Sequence, residues 1–95
     1  MNIKVDKQTY KDAEKLPKHI QLRAAEEMKA LKNAKNLSEL SNVRRMEGTN
    51  EPYYRMKFSS YRFMLYHNVE EDIVEVVSLT HRKDYYKKQN LPWHR

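Results

Sequence analysis

From Tyr53 onward apolar residues recur at every second position, whereas between Tyr10 and Asn33 they recur at every third or fourth, and this change of period limits the folds open to the chain. In YYRMKF, Tyr54, Met56 and Phe58 fall on one side and Tyr53, Arg55 and Lys57 on the other, the pattern of a half-buried strand with its basic residues on one face. Ser59 and Ser60 separate this run from YRFMLYH, where Tyr61, Phe63 and Leu65 alternate with Arg62, Met64 and Tyr66. The two runs predict a tight hairpin. NVEED makes the next turn, and IVEVVSLT, with Val and Ile on both faces, predicts a central strand. HRKDYYKKQNLPWHR closes the chain as a turn, a short helix or an extended tail.

The first half of the chain carries different signals. Ile3 and Val5 alternate with polar residues in a short strand pattern, after which Tyr10, Ala13 and Leu16 take helical spacing. Pro17 lacks an N–H and so ends that helix or starts the next. A second helix is predicted from about Pro17 to Asn33, with Ile20, Ala24, Met28 and Leu31 on one stripe and Arg23, Glu26, Lys29 and Lys32 mostly elsewhere. Between residues 34 and 50, LSEL reads as a helical turn, VRRM as a strand, and EGTNEP, which holds the only glycine, as a loop. The expected architecture is α+β: two N-terminal helices pack on one face of a small antiparallel sheet, the N-terminal strand joins that sheet, and Arg55, Lys57 and Arg62 occupy the other face.

A chain of 95 residues has room for one core, so residues 1–95 are read as a single domain. Without cysteine, neither a disulfide framework nor a thiolate metal site can hold it, which favours a cytoplasmic setting. The charged N-terminus lacks the apolar region of a signal peptide, and no run approaches the roughly 20 apolar residues of a membrane span. The formal net charge of +6 is unevenly placed. Residues 53–62 contribute +3 and residues 81–95 contribute +4, leaving −1 for the remainder. Excess charge gathered in two short segments is the arrangement of a polyanion-binding surface.

The stretch YYRMKFSSYRFMLYHNVEEDIVEVVSLTHRKDYY resembles the RelE/ParE superfamily of toxins from type II toxin–antitoxin systems. The resemblance lies in a strand ending in alternating basic residues, a YR step after a tight turn, an acidic turn, a Val-rich strand, and HR followed by Tyr. With the helical pair it spans essentially the whole chain. The RelE branch cuts messenger RNA in the ribosomal decoding site without metal, by driving the 2′-hydroxyl onto the adjacent phosphate; the ParE branch inhibits DNA gyrase. Basic residues at all four corresponding cationic positions bring this chain nearer to the RelE branch. The resemblance implies an endoribonuclease with ribosome, messenger RNA and a cognate antitoxin as partners, and no cofactor or metal. It places the basic pair on Arg55 and Lys57, the arginine of the YR step on Arg62, the arginine after the last strand on Arg82, and the functional tyrosine on Tyr86, with Tyr85 beside it as the alternative. Arg62, Arg82, Tyr86 and Lys57 would form the catalytic group. Arg55, Lys83, Tyr85 and Lys87, together with Lys57, would contact RNA. The alternatives are a gyrase inhibitor, or an inactive relative that only binds RNA or an antitoxin.

The chemistry of these residue types agrees with that assignment. Metal-free RNA cleavage needs a base, an acid, and cations around a phosphate whose charge grows in the transition state. Arginine suits the last role, since its planar fork offers two parallel hydrogen bonds to phosphate oxygens; otherwise Arg62 is a surface arginine lying over the sheet. Lys57 acts as a base only if neighbouring arginines depress its pKa, and is otherwise a phosphate contact. Strand alternation puts His67 with Phe63 and Leu65 and His81 with Val77 and Leu79, on the core side, so both read as structural or turn histidines. Tyr85 and Tyr86 either stack on an unpaired base or pack beneath the tail, as does Trp93, and His94 belongs to the tail. No Gly-rich phosphate loop, Cys/His metal spacing or Ser-His-Asp set is present.

Overall fold

The computed structural model describes residues 1–85. Strand β1 (Asn2–Val5) leads into helices α1 (Lys7–Glu14) and α2 (Lys18–Asn33), followed by a 3-10 turn at Leu37–Glu39. Strands β2 (Val43–Arg45), β3 (Tyr53–Phe58), β4 (Tyr61–Asn68) and β5 (Ile73–His81) and the single turn α3 (Arg82–Tyr85) complete the described chain. The sheet has five strands in the order β1-β5-β4-β3-β2. Neighbours from β2 to β5 are antiparallel, while β1 lies parallel to β5, Val5 opposite Val76. The sheet is therefore mixed: parallel strands need a long crossover, which here contains the two helices and the β2–β4 meander.

Pro17 separates the helices as its chemistry requires, with a φ of −55° at the N-cap of α2. Phe58 pairs with Tyr61, so Ser59 and Ser60 are the two turn residues of the hairpin, and Ser59 takes a φ of 52°. Positive φ at the first turn position is what such short connections demand, and a side chain there is strained.

Ile20, Ala24 and Leu31 of α2 meet Met56, Phe58, Phe63, Leu65, Val74, Val76 and Leu79 of the sheet in one core, with Met28 packed at its margin. Both the helical stripe and the strand alternation thus close on each other, each buried side chain contributing about 1.5–3 kcal/mol of transfer free energy. One expectation for α1 fails: Tyr10 is 62% exposed. Thr9 is buried in its place, because its hydroxyl donates to the carbonyl of Val76 at 3.0 Å.

A second correction concerns β5. Met64 pairs with Ser78 but Leu65 pairs with Val76, so Val77 is an extra residue and the strand bulges. Val77 packs with Met46 and Met64 on the face away from the helices, whereas Leu79 is in the core. Simple alternation had put the two on one face. Among the described residues no helix is long and apolar enough to cross a membrane.

Candidate functional site

The sheet face opposite the helices gathers the cations by strand register. Arg55 and Lys57 alternate with the buried Met56 and Phe58, so they share that face. Across β2–β3, Arg44 stands directly opposite Arg55. Across β3–β4, Lys57 stands directly opposite Arg62, which in turn pairs with Thr80. Two like-charge pairs therefore lie side by side, about 7 Å apart along β3. Directly opposed like charges destabilise a sheet. No carboxylate among the described residues forms an ion pair with Arg44, Arg55, Lys57 or Arg62. Arg44, Arg55 and Lys57, with Ser41 and Asn42, line a hollow of about 200 Å³.

Arg62 differs from the others in being only 7% exposed. Nη1 of Arg62 donates to the carbonyl of Tyr61 at 3.1 Å, while its Nε is buried without a hydrogen-bond partner. The exposed Arg44 donates likewise to the carbonyl before it, so burial and the unmet Nε are what set Arg62 apart. Burying a guanidinium with an unmet donor is costly.

Arg82 begins α3 and is exposed. Its backbone N–H donates to the carbonyl of Ser60 at 2.7 Å, which ties the end of β5 to the β3–β4 turn and sets Arg82 one step beyond the Arg62–Thr80 pair. Lys83 follows, exposed, with its N–H donating to Nδ1 of His81 at 3.1 Å. His81 also meets Tyr61 edge-on, with ring centroids 5.2 Å apart. His67 lies 3.8 Å from Asp72, where the chain turns back into β5. Both histidines thus have structural contacts. Tyr86, Lys87, Trp93 and His94 lie outside the described residues, as does the side chain of Tyr85.

The structure brings together Arg55, Lys57, Arg62 and the Arg82 backbone, and it adds residues that sequence patterning missed. Arg44 is the first, because its β2 run was legible as a strand but its pairing partner was not. Tyr53 and Tyr66 are the next: they stand opposite each other on the cationic face and pack edge to face, centroids 5.0 Å apart. Their alternation with core residues was the available signal. Cations beside aromatic rings can hold phosphates while offering π-faces to bases.

Neither a comparison with protein-family models nor one with curated protein sequences gives a match. Solved structures do. A RelB–RelE antitoxin–toxin complex from Methanococcus jannaschii superposes with a TM-score of 0.70 and 25% identity, over 87% of this chain and 94% of that one. The archaeal RelE–RelB complex from Pyrococcus horikoshii OT3 gives 0.69 and 27% identity, over 85% and 93% of the two chains. This chain has the RelE fold. The isolated RelE toxin of E. coli shares that fold at 18% identity, with a TM-score of 0.62 over 84% of this chain and 82% of that one. In the RelE fold of this chain the cationic face is the side of the sheet left open by α1 and α2.

Proposed function

We propose that this chain is the toxin of a type II toxin–antitoxin pair and acts as a ribosome-dependent, metal-independent endonuclease on messenger RNA. The observation that carries the reading is the set of opposed cations, Arg44 with Arg55 and Lys57 with Arg62, the last with its Nε unmet. Such an arrangement opposes folding and favours binding of a polyanion. Likeness to RelE structures, two of them complexes with RelB, supports a toxin with an antitoxin partner.

In the proposed reaction the 2′-oxygen attacks the adjacent phosphorus, the bond to the 5′-oxygen breaks, and a 2′,3′-cyclic phosphate and a 5′-hydroxyl result. The 2′-proton passes to a base, a role open to Lys57, and the leaving 5′-oxygen takes a proton from solvent water. Arg62 and Arg82 stabilise the charge that builds on the phosphate. Tyr86 orients or stacks on the target nucleotide, and Arg55, Lys83, Tyr85 and Lys87 contact the RNA backbone and bases. The site of action would be the cytoplasm, where ribosomes and messages meet.

The test is to induce the chain in bacteria without a partner, then map transcript ends and DNA supercoiling in the same cells. Cleavage inside translated codons is the expected result. Lost supercoiling with intact messages would overturn it in favour of gyrase inhibition.

A further inference from the structure

The bulge in β5 decides what stands beside Arg62. Up to Val76 the strand alternates with even-numbered residues in the core; beyond it Leu79 is in the core and Ser78 and Thr80 lie on the cationic face. Had the strand run on without the extra residue, alternation would have put Ser78 and Thr80 into the core and Leu79 beside Arg62. The same shift sets where the Arg82 N–H meets Ser60. Something must hold this irregular stretch, because a bulge leaves ladder groups without their usual partners.

Helix α1 supplies those partners. Strand β1 ends at Val5, opposite Val76, and past that point no strand among the described residues lies on that side of β5. The Val76 carbonyl accepts the Asp6 backbone N–H at 2.9 Å and, in a buried setting, the Thr9 hydroxyl at 3.0 Å. Two residues after the bulge, Oδ2 of Asp12 accepts the Leu79 N–H at 2.9 Å, while its Oδ1 accepts from Nε2 of Gln8 at 2.8 Å. Thr9 and Asp12 thus bracket the bulge: Asp12 takes up the Leu79 N–H past the end of β1, and Thr9 adds a second donor to the Val76 carbonyl that Asp6 already bonds.

We infer that Asp12, together with Thr9, is a positioning residue that locks the β5 bulge and thereby places Thr80 and Arg82 around the Arg62 phosphate site. The inference rests on the proposed endonuclease reading for its activity consequences, and on the fold alone for its structural ones. Arg44, Arg55 and Lys57 lie on strands that α1 does not brace in this way, so RNA affinity and turnover should separate.

The experiment measures, on the full chain, amide hydrogen exchange at Leu79 and Arg82 together with ribosome binding and message cleavage. Asp12→Ala should speed exchange at both amides relative to Met56, and lower cleavage by about 10- to 100-fold, the scale on which small misplacements act, with ribosome affinity changed by less than about threefold. Asp12→Asn keeps an oxygen acceptor and should restore both readouts to within about threefold of wild type. Unchanged exchange at Arg82 in Asp12→Ala, or an Asp12→Asn variant as impaired as alanine, would overturn the inference. Should Asp12→Ala fail to fold, Thr9→Val removes one of the two donors on the Val76 carbonyl with little change of shape and must show the same split between exchange, cleavage and binding to a smaller degree. If the wild-type chain cleaves no message, the endonuclease reading falls, and the exchange measurements still decide whether Asp12 holds the bulge.

Discussion

Burying the guanidinium of Arg62 with its Nε unmet, opposite another cation, costs the folded state free energy that an apolar side chain would not. Arg62→Met is therefore expected to raise stability by on the order of 1 kcal/mol, read from urea denaturation, while lowering message cleavage by about 10²-fold. A less stable variant would mean that the guanidinium is held by favourable contacts and is not poised for an anion. Arg82 tests the other half of the clamp. Its backbone N–H, not its side chain, makes the bond to Ser60, so Arg82→Ala should fold normally. Cleavage should fall by about 10²-fold, and Arg82→Lys should recover only part of it because a point charge cannot make two parallel contacts. Arg23 serves as the control: it is exposed on α2, paired with Glu27 at 3.5 Å, and Arg23→Ala should cost about 0.3–0.5 kcal/mol and no activity. Full cleavage by both Arg82 variants would remove Arg82 from the site.

At the level of elements, the β3–β4 hairpin carries the site and also holds a strained turn. Ser59 takes a φ of 52° where glycine is at ease. Ser59→Gly should stabilise the chain by roughly 0.5–1 kcal/mol, measured as a shift in the denaturation midpoint without a change in its slope. Asp72 has the same φ of 52° but lies 3.8 Å from His67, and aspartate tolerates that region better than serine. Asp72→Gly should therefore gain less. Equal gains at the two positions would show that backbone strain alone, without side-chain contacts, sets both turns.

For the whole molecule, the position of the charge matters more than its total of +6. Residues 53–62 and 81–95 hold the excess, and Arg44 joins the first segment through the β2–β3 pairing. Binding to ribosomes or RNA should weaken steeply with salt, as a linear log–log dependence, and Arg44→Ala should reduce the magnitude of that slope by about 1. An affinity that barely changes between low and moderate salt would place the binding surface elsewhere. The same concentration of cations makes a covering protein favourable. On the proposed reading a small acidic partner encoded beside this chain should co-purify with it and raise its melting temperature in proportion to occupancy. Co-expression followed by calorimetry checks this, and no stable complex with such a partner would count against a toxin–antitoxin pair.

Sequence by itself determined the elements and the face on which β3 carries its cations. The reason is local: Arg55 and Lys57 are two apart in an extended run whose alternate residues are apolar, so their direction relative to Met56 and Phe58 follows from backbone geometry alone. Pro17 and the Ile20, Ala24 and Leu31 stripe were legible on the same ground. Only the tertiary structure decided which strand stands opposite which. The pairing of Arg44 with Arg55, the parallel placement of β1, and the burial of Arg62 in the central strand follow from how distant segments pack. Tyr10 and Val77 show the limit most clearly. Periodicity grouped Tyr10 with Ala13 and Leu16 and Val77 with Leu79, yet Tyr10 is exposed while Thr9, donating to the Val76 carbonyl, and Asp12, accepting the Leu79 N–H, bond backbone groups 67 positions away on either side of the bulge. A period-two pattern cannot contain an extra residue whose partners lie on another element, because a bulge is a compromise between strand twist and long-range packing that no local run of side chains encodes.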